Sequence, residues 1–506
     1  MNSIYFNGKD EKTMKITTME LTDGYKLDHR RQYPKGTEFV YSNWTPRSNT
    51  YFPEAEDGCV VFGIQYFIKE YLIKRFNEDF FNLDEDLAVK TFERRINTFL
   101  GENEVGTDHI RELHKLGYLP IRIKALPEGS LCPIGVPMLT VINTDKRFFW
   151  LTNFIETMMS MCLWLPMTSA TTARIYRKEL ERHAKKTMFP KEVELGFNCH
   201  DFSMRGMAGL EAAITSGMGH LTSFIGSETI PAIGACEVYY NADAEKELIA
   251  ATVPATEHSV MCAGGMEDEF GTFKRLLTEL YPNGFVSIVS DTWDFWKVIT
   301  EFIPKLKEEI LARNGRFVVR PDSGIPEDII CGTNNPNDPD YIRKGAYECL
   351  WDIFGGTYTE NGYKVLDTHI GIIYGDSITI ERQREIYRRL EDKGFAATNL
   401  VLGIGSYTYQ YRTRDSLGFA MKATWCRVNG EDKEIFKNPK TDSGMKKSLK
   451  GLLYVEHDEY LGKYSVTDCV DAQTESMGCL ETVFENGTIV KEFNLSEIRE
   501  NVKSTI

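Results

Sequence analysis

Two stretches in the middle of the chain decide the fold, Phe285-Val-Ser-Ile-Val-Ser-Asp291 and Phe317-Val-Val-Arg-Pro-Asp-Ser-Gly324. In each, a short apolar run ends abruptly in polar or charged residues. The same pattern recurs from about residue 190 onward, at the apolar runs 193–197, 221–225, 370–374 and 399–402. Helix-like stretches separate these runs. Repeated strand–helix units predict a parallel sheet, either an irregular β/α barrel or an open doubly wound sheet.

The intervening segments support this interpretation. Residues 292–312 and 378–393 have helical patterns, with Asp291 and Ser377 as expected N-caps. The segment 331–362 is rich in Asn, Pro, Asp and Gly, and we expect a surface insertion there. We therefore predict a catalytic β/α barrel over 186–404. We expect 1–185 and 405–506 to form a mixed α/β accessory and dimerisation domain.

The composition is that of a globular protein and excludes several classes of function. Of 506 residues, 42% are hydrophobic and 26% charged, and the net charge is −15. An acidic chain is a poor candidate for sequence-independent nucleic-acid binding. No run of about 18 apolar residues and no signal-like N-terminus is present. We expect a cytoplasmic protein with neither a nucleic-acid nor a membrane partner.

Charged residues and glycines follow the predicted strands. In a barrel, reactive side chains gather at the carboxyl ends of the strands, and the residues at these ends are His200, Asp201, Arg205, Glu228, Asp291, Arg320, Asp322 and Asp376. Loops are also polar simply because they face water. Arg205, Arg320 and Arg414 have the forked donors that suit phosphate or pyrophosphate. The turns at Gly375-Asp376 and Gly403-Ile-Gly405 would let backbone N–H groups approach a phosphate closely.

His258 follows Glu257 at a predicted helix start and is a candidate catalytic residue. A lone histidine is more often structural, and both interpretations remain open at this point. No His-Glu-x-x-His or His-x-His pair accompanies it, so a metal-dependent hydrolase on a barrel fits poorly.

Taken together, the motifs resemble those of the nicotinamide phosphoribosyltransferases, within the wider nicotinate phosphoribosyltransferase-like family. The matching segments run along the whole chain, and the pair His200-Asp-Phe-Ser-Met-Arg-Gly and Arg320-Pro-Asp-Ser-Gly is the most specific. The others are Asp23-Gly-Tyr-Lys, Gln32-Tyr-Pro, the stretch 41–47, Gly226-Ser-Glu-Thr, Glu257-His-Ser, Val289-Ser-Asp, Gly375-Asp, Thr413-Arg-Asp and Phe436-Lys-Asn-Pro. The resemblance implies transfer of a phosphoribosyl group from phosphoribosyl pyrophosphate to nicotinamide, which gives nicotinamide mononucleotide and pyrophosphate in NAD salvage.

The resemblance also implies roles for individual residues. Those expected to hold pyrophosphate or phosphate are Arg205, His258, Arg320 and Arg414, with Gly375, Asp376, Gly405 and Ser406 around the nucleotide phosphate. Asp291 and Asp322 would lie around the ribose, His258 and a Mg²⁺ ion, with Asp322 as the magnesium ligand. ATP would phosphorylate His258. The catalytic set is thus His258, Asp322, Asp291 and Arg320.

A homodimer with shared active sites is implied as well. Phe202 would stack on one face of the pyridine ring, and Tyr25 of the second subunit would stack on the other. Lys422 and Lys437 would reach across the interface toward phosphates.

Two positions depart from the family pattern. Ser406 stands where relatives have a phosphate-contacting glycine. Glu228 stands where relatives that use nicotinamide have an aspartate, and we expect it to bind the carboxamide. Three alternatives remain: a nicotinate phosphoribosyltransferase, a barrel-based metal hydrolase and a non-catalytic phosphate-binding scaffold.

Overall fold

A six-stranded parallel sheet forms the centre of one of the two units of this protein. The computed structural model describes residues 16–375, 378–437 and 449–506. The first unit comprises Met1–Thr168, Glu237–Ala242 and Arg412–Thr505, and the second comprises Ser169–Cys236 and Asp243–Tyr411.

The parallel sheet lies in the second unit. Its strands are β1 (Cys199–Asp201), β2 (Gly226–Ser227), β3 (Val286–Val289), β4 (Phe317–Arg320), β5 (Ile370–Tyr374) and β6 (Leu400–Ile404). They are ordered β2-β1-β6-β5-β4-β3, and all neighbours are parallel. Every residue of β5 is buried, as expected for a parallel strand covered on both faces.

The sheet curls, and one segment pairs with both of its edges. Ala251 donates to Ile225 O at 2.9 Å and accepts from Ser227 N–H at 3.2 Å, beside β2. A few residues later, Thr256 N–H donates to Ser287 O of β3 at 3.0 Å. The segment 251–256 therefore closes the sheet. The prediction of an irregular β/α barrel is confirmed, and the open doubly wound alternative is wrong.

Helices surround this barrel. They are Met204–Gly206, Leu210–Leu221, Ile230–Tyr240, His258–Gly264, Met266–Asp268, Glu269–Arg275, Leu276–Leu280, Phe295–Lys297, Val298–Phe302, Ile303–Lys305, Lys307–Ala312, Pro326–Cys331, Asp340–Lys344, Ala346–Phe354, Ile380–Asp392 and Ser406–Gln410. A small hairpin joins Gly356–Tyr358 to Lys364–Leu366.

The helix starts differ from those predicted. Asp294, not Asp291, accepts the capping N–H of Lys297. Thr379 caps the later helix, and Ser377 lies outside the described residues. Asp291 is not a cap because its carboxylate is bound to a neighbouring loop, as described below.

Three predicted segments also differ from the structure. β1 and β2 begin after the apolar runs 193–197 and 221–225, because those runs form a turn and a helix end. The segment 331–362 contains the helix Ala346–Phe354, whose Tyr347 is fully buried. It therefore contributes to the core as well as to the surface.

The first unit contains a seven-stranded sheet built from both ends of the chain. In sheet order its strands are Glu431–Glu434, Ala420–Val428, Thr37–Thr45, Leu139–Asn143, Ile121–Ala125, Glu481–Glu485 and Thr488–Ile489. All neighbouring pairs are antiparallel. Two further strand pairs join Cys59–Val60 to Leu131–Cys132 and Leu452–Asp458 to Lys463–Val470.

The helical segments of this unit are mostly short. They are Thr18–Glu20, Gly24–Asp28, His29–Gln32, Ile64–Phe67, Ile68–Arg75, Asn77–Phe81, Glu85–Leu100, Asp108–Leu116, Lys146–Phe148, Leu151–Phe154, Arg414–Leu417, Ala472–Ser476 and Leu495–Ser504. The long helix Glu156–Met188 contributes residues to both units. The unit borders at Thr168 and Tyr411 therefore differ from the predicted ones at 185 and 404. Within the described ranges, no helix has both the length and the hydropathy needed to cross a bilayer.

A buried carboxylate fixes the helix Ile380–Asp392 on the outside of the barrel. Glu391, with a side chain only 5% exposed, accepts from His183 Nδ1 at 2.8 Å and Lys186 Nζ at 2.5 Å. The other ring nitrogen of His183 accepts the Ala397 N–H at 3.0 Å, so the ring is neutral with its proton on Nδ1. Burial alone would raise the pKa of Glu391, but these hydrogen bonds outweigh burial and lower it to about 2.

We predict that Glu391→Gln lowers the free energy of unfolding by about 1–3 kcal/mol, because buried donors lose a charged acceptor. The matched control is Glu385→Gln on the same helix, where the exposed pair with Arg388 contributes at most about 1 kcal/mol. The contribution of Glu391 is complete above pH 4.5 and is lost as the pH falls toward 2. Denaturant unfolding between pH 7 and 3 measures it, and equal stability of wild type and Glu391→Gln at pH 7 would contradict the prediction.

Candidate active site

Charged side chains cluster at the carboxyl ends of β3 and β4. Arg320, the last residue of β4, donates from Nε to Asp322 Oδ1 at 3.2 Å and from Nη2 to Oδ2 at 3.0 Å. Its Nη1 donates to Thr256 O at 3.3 Å. A guanidinium has five N–H donors, so within the described residues one on each terminal nitrogen has no acceptor. Charged N–H donors of this kind suit phosphate oxygens.

Asp291 holds the loop that carries Asp322. Its Oδ2 accepts the N–H of Asp322 at 2.9 Å, the N–H of Ser323 at 2.7 Å and the Ser323 hydroxyl at 2.6 Å. Its Oδ1 is buried and accepts no hydrogen bond from any residue that the structure describes, and it lies 3.3 Å from His258 Nε2. His258 begins the helix His258–Gly264, and half of its side-chain surface is exposed. One carboxylate therefore contacts both the loop and the histidine.

Glu228 follows β2, which lies at the other end of the strand order from β3. His200 of β1 holds its side chain. His200 Nε2 lies 2.9 Å from Glu228 Oε1, and the Thr252 hydroxyl donates to the same oxygen. The hydrogen bond from His200 is the main cause that lowers the pKa of Glu228, and the hydrogen bond from Thr252 also lowers it while burial opposes both. Glu228 thus presents a carboxylate at neutral pH. It neither points freely into solvent nor folds back onto Arg320.

An aromatic ring joins these two clusters. The ring of Phe202 lies 4.8 Å from the ring of His200, and the Arg320 guanidinium lies 5.5 Å from the centre of the Phe202 ring. Phe202 is only half buried, so part of its ring can receive a flat ligand.

Two glycines allow the backbone to approach these side chains. A Cβ on Gly375 would clash with Asp322 Oδ1 and lie 3.4 Å from Arg320 Nε. A Cβ on Gly403 would lie 2.8 Å from Phe202 and from the Gly375 backbone. Larger residues at either position would displace the ligand-facing groups.

The remaining predicted residues of this unit lie on neighbouring turns. Arg205 is exposed in the short helix Met204–Gly206 and has no partner among the residues that the structure describes. Ser406 begins the helix Ser406–Gln410 after Gly405, and its hydroxyl fills the space beside Gly206. Asp376 lies outside the described residues.

The other four predicted residues belong to the first unit. Tyr25 is 65% exposed, and Arg414 pairs with the neighbouring Asp415 at 3.1 Å. Lys422 and Lys437 are exposed. Partial burial is the main cause that lowers the pKa of Lys422; the positive charges of Arg47 and Lys437 lower it further, while the Glu156 carboxylate raises it. An anion bound there would relieve this repulsion.

The predicted site omitted Thr252 and Arg47. It also gave no role to His200, although the sequence placed that residue at a strand end. All three contact or influence predicted residues. His200 lies in the same motif as Phe202, two residues away at the end of a strand, and that position was a usable signal. Thr252 had none, because the closing segment 251–256 has no strand pattern. Asp201, also in this motif, is structural: it is fully buried and accepts from Ser203 N–H and the Thr229 hydroxyl.

Comparisons with known proteins agree with one another. Residues 197–488 match the model of the nicotinate phosphoribosyltransferase (NAPRTase) family, and residues 17–123 match that of the nicotinamide phosphoribosyltransferase N-terminal domain. A nicotinamide phosphoribosyltransferase of Acinetobacter baylyi is 51% identical over 97% of this chain and 98% of its own. One from Xanthomonas campestris is 32% identical over 94% and 96%, respectively.

Solved structures share the fold. The nicotinate-nucleotide pyrophosphorylase of Pyrococcus furiosus aligns with a TM-score of 0.57 at 17% identity, covering 100% of this chain and 98% of its own. Human nicotinic acid phosphoribosyltransferase aligns with a TM-score of 0.51 at 15% identity, covering 96% and 93%.

Proposed function

The chain belongs to the nicotinamide phosphoribosyltransferases of the nicotinate phosphoribosyltransferase family, and from this premise we propose how its site works. The enzyme transfers the phosphoribosyl group of phosphoribosyl pyrophosphate to the ring nitrogen of nicotinamide. Nicotinamide mononucleotide and pyrophosphate are the products, and the reaction serves NAD salvage. The observation that carries the choice of substrate is the carboxylate of Glu228, held beside an accessible aromatic ring.

The chemistry demands positioning and stabilisation of the leaving group. A pyridine nitrogen is a weak nucleophile, and the ribose passes through a cation-like state as pyrophosphate leaves. The two free donors of Arg320, together with Arg205, are suited to the negative charge that develops on pyrophosphate. Phe202 would stack on the nicotinamide ring and fix its plane, which directs the ring nitrogen at the ribose carbon.

Glu228 distinguishes the carboxamide of nicotinamide from the carboxylate of nicotinate. A carboxylate accepts a hydrogen bond from the carboxamide NH₂ but repels a second carboxylate. Two like charges about 4 Å apart cost on the order of 4 kcal/mol at an effective dielectric constant near 20. The alternative of a nicotinate phosphoribosyltransferase lacks this support.

We predict that purified enzyme releases pyrophosphate with nicotinamide far faster than with nicotinate, by up to about a thousandfold in kcat/KM. Glu228→Ser should lose nicotinamide activity and gain relative nicotinate activity, because the carboxylate is removed. Steady-state assays with both substrates measure the ratio. A ratio that Glu228→Ser leaves unchanged would assign the selectivity to another residue.

Magnesium as a cofactor is part of the proposal, and the side chains present fit it. Mg²⁺ prefers oxygen ligands and usually binds one or two carboxylates together with substrate phosphates. Both oxygens of Asp322 already accept from Arg320, whereas no donor in the described part of the chain bonds the buried Oδ1 of Asp291. Asp291 therefore joins Asp322 as a candidate ligand. When bound, the ion would neutralise charge on the leaving pyrophosphate.

Phosphorylation of His258 by ATP is also proposed. The Asp291 carboxylate beside Nε2 favours the tautomer with its proton on that nitrogen, which leaves a lone pair on Nδ1. Because His258 is half exposed, that lone pair is accessible. A phosphoryl group there would add charge and oxygen ligands next to the pyrophosphate site.

We predict that His258→Ala keeps a slow basal reaction but loses its stimulation by ATP. The wild-type enzyme incubated with γ-labelled ATP should carry an acid-labile phosphate, and His258→Ala should carry none. Stimulation by ATP that persists in His258→Ala would remove His258 from this role.

Assembly and location complete the proposal. An active site shared between two chains of a homodimer would give Tyr25, Lys422 and Lys437 their implied roles. The exposure of Tyr25 and the depressed pKa of Lys422 support a contact that a single chain leaves incomplete. Arg414 would bind phosphate once released from Asp415. We also propose a cytoplasmic location.

A further inference from the structure

The way Glu228 is held assigns a role to two residues outside the proposed substrate-binding set. His200 Nε2 and the Thr252 hydroxyl both contact Oε1 of Glu228. Among the described residues, no donor reaches Oε2, and 40% of the side-chain surface remains exposed. One oxygen is therefore fixed and the other is accessible to a ligand.

This arrangement has a direct chemical consequence. A carboxylate can only accept hydrogen bonds, so with Oε1 occupied the accessible Oε2 demands a donor from the ligand. Carboxamide NH₂ supplies one, and a carboxylate does not. The hydrogen bonds to Oε1 also favour the ionised form, as the lowered pKa of Glu228 reflects.

Two donors on one oxygen also restrict where the side chain can go. Glutamate has one more rotatable bond than aspartate, and without an anchor Glu228 could turn toward the Arg320 charge. His200 is itself fixed, because it is nearly buried and packs against Phe202 and closely against Gly226. Thr252 comes from the segment that closes the barrel, a different part of the chain.

We propose that His200 and Thr252 are positioning residues that aim Glu228 at the carboxamide, and so set both the affinity for nicotinamide and the discrimination against nicotinate. The inference rests on the proposed function. It adds the two residues that orient a glutamate at this position toward the carboxamide. His200 and Thr252 act through Glu228 and need not touch the substrate.

The sharpest test uses Thr252, because it is exposed and its substitution does not open a buried core. Thr252→Val keeps the shape and removes the hydroxyl, whereas Thr252→Ser keeps the hydroxyl. Thr300→Val is the matched control, since its hydroxyl bonds only within its own helix turn. For His200, His200→Phe keeps an aromatic ring against Phe202 and removes the donor.

We expect Thr252→Val to raise the KM for nicotinamide about tenfold, as loss of one hydrogen bond to a charged group predicts, with kcat and the KM for phosphoribosyl pyrophosphate unchanged. The preference for nicotinamide over nicotinate should fall by a similar factor. Thr252→Ser and Thr300→Val should behave as wild type. His200→Phe should show the same loss of preference, and its combination with Thr252→Val should be less than additive.

Two results would overturn the inference. One is wild-type selectivity in Thr252→Val. The other is an equal rise in KM for both pyridine substrates, which would indicate general disruption of the pocket. A wild-type enzyme inactive with nicotinamide would instead refute the proposed function, so the two failures are distinguishable.

Discussion

The carboxylate of Asp291 is the constraint on which the rest of the phosphate-binding site depends. Its Oδ2 accepts three hydrogen bonds from residues 322–323, and these fix the turn that follows β4. That turn brings Asp322 against Arg320 and so sets which guanidinium donors remain free. Because Oδ1 faces His258, the same residue links the proposed phosphoryl acceptor to the anion-binding arginine.

A second series of contacts connects this phosphate-binding site to the side of the site that binds the pyridine ring. Arg320 lies over Phe202, Phe202 packs on His200, and His200 holds Glu228. Recognition of the carboxamide and stabilisation of pyrophosphate thus share one set of mutually packed residues.

Much of the fold could be predicted because the later strands are continuous apolar runs. β5 coincides with the predicted run, and β3, β4 and β6 differ from theirs by a residue or two. β1 and β2 were misplaced because each is very short and carries polar residues, so the apolar runs before them gave a stronger signal. The closing segment 251–256 could not be predicted, since it pairs through isolated contacts and has no strand periodicity.

The residues of the site also divide into those that the sequence could predict and those that it could not. The motifs identified Arg320, Asp322, Asp291, His258 and Glu228, because type and spacing along the chain carry that information. Contacts between distant segments, such as Thr252 with Glu228, depend on barrel closure and lie beyond sequence reasoning.

Asp291→Asn tests the central claim most directly, because it keeps the size of the side chain and removes its charge. We expect a KM for phosphoribosyl pyrophosphate raised about tenfold or more and loss of stimulation by ATP. A wild-type KM together with wild-type stimulation by ATP would contradict it.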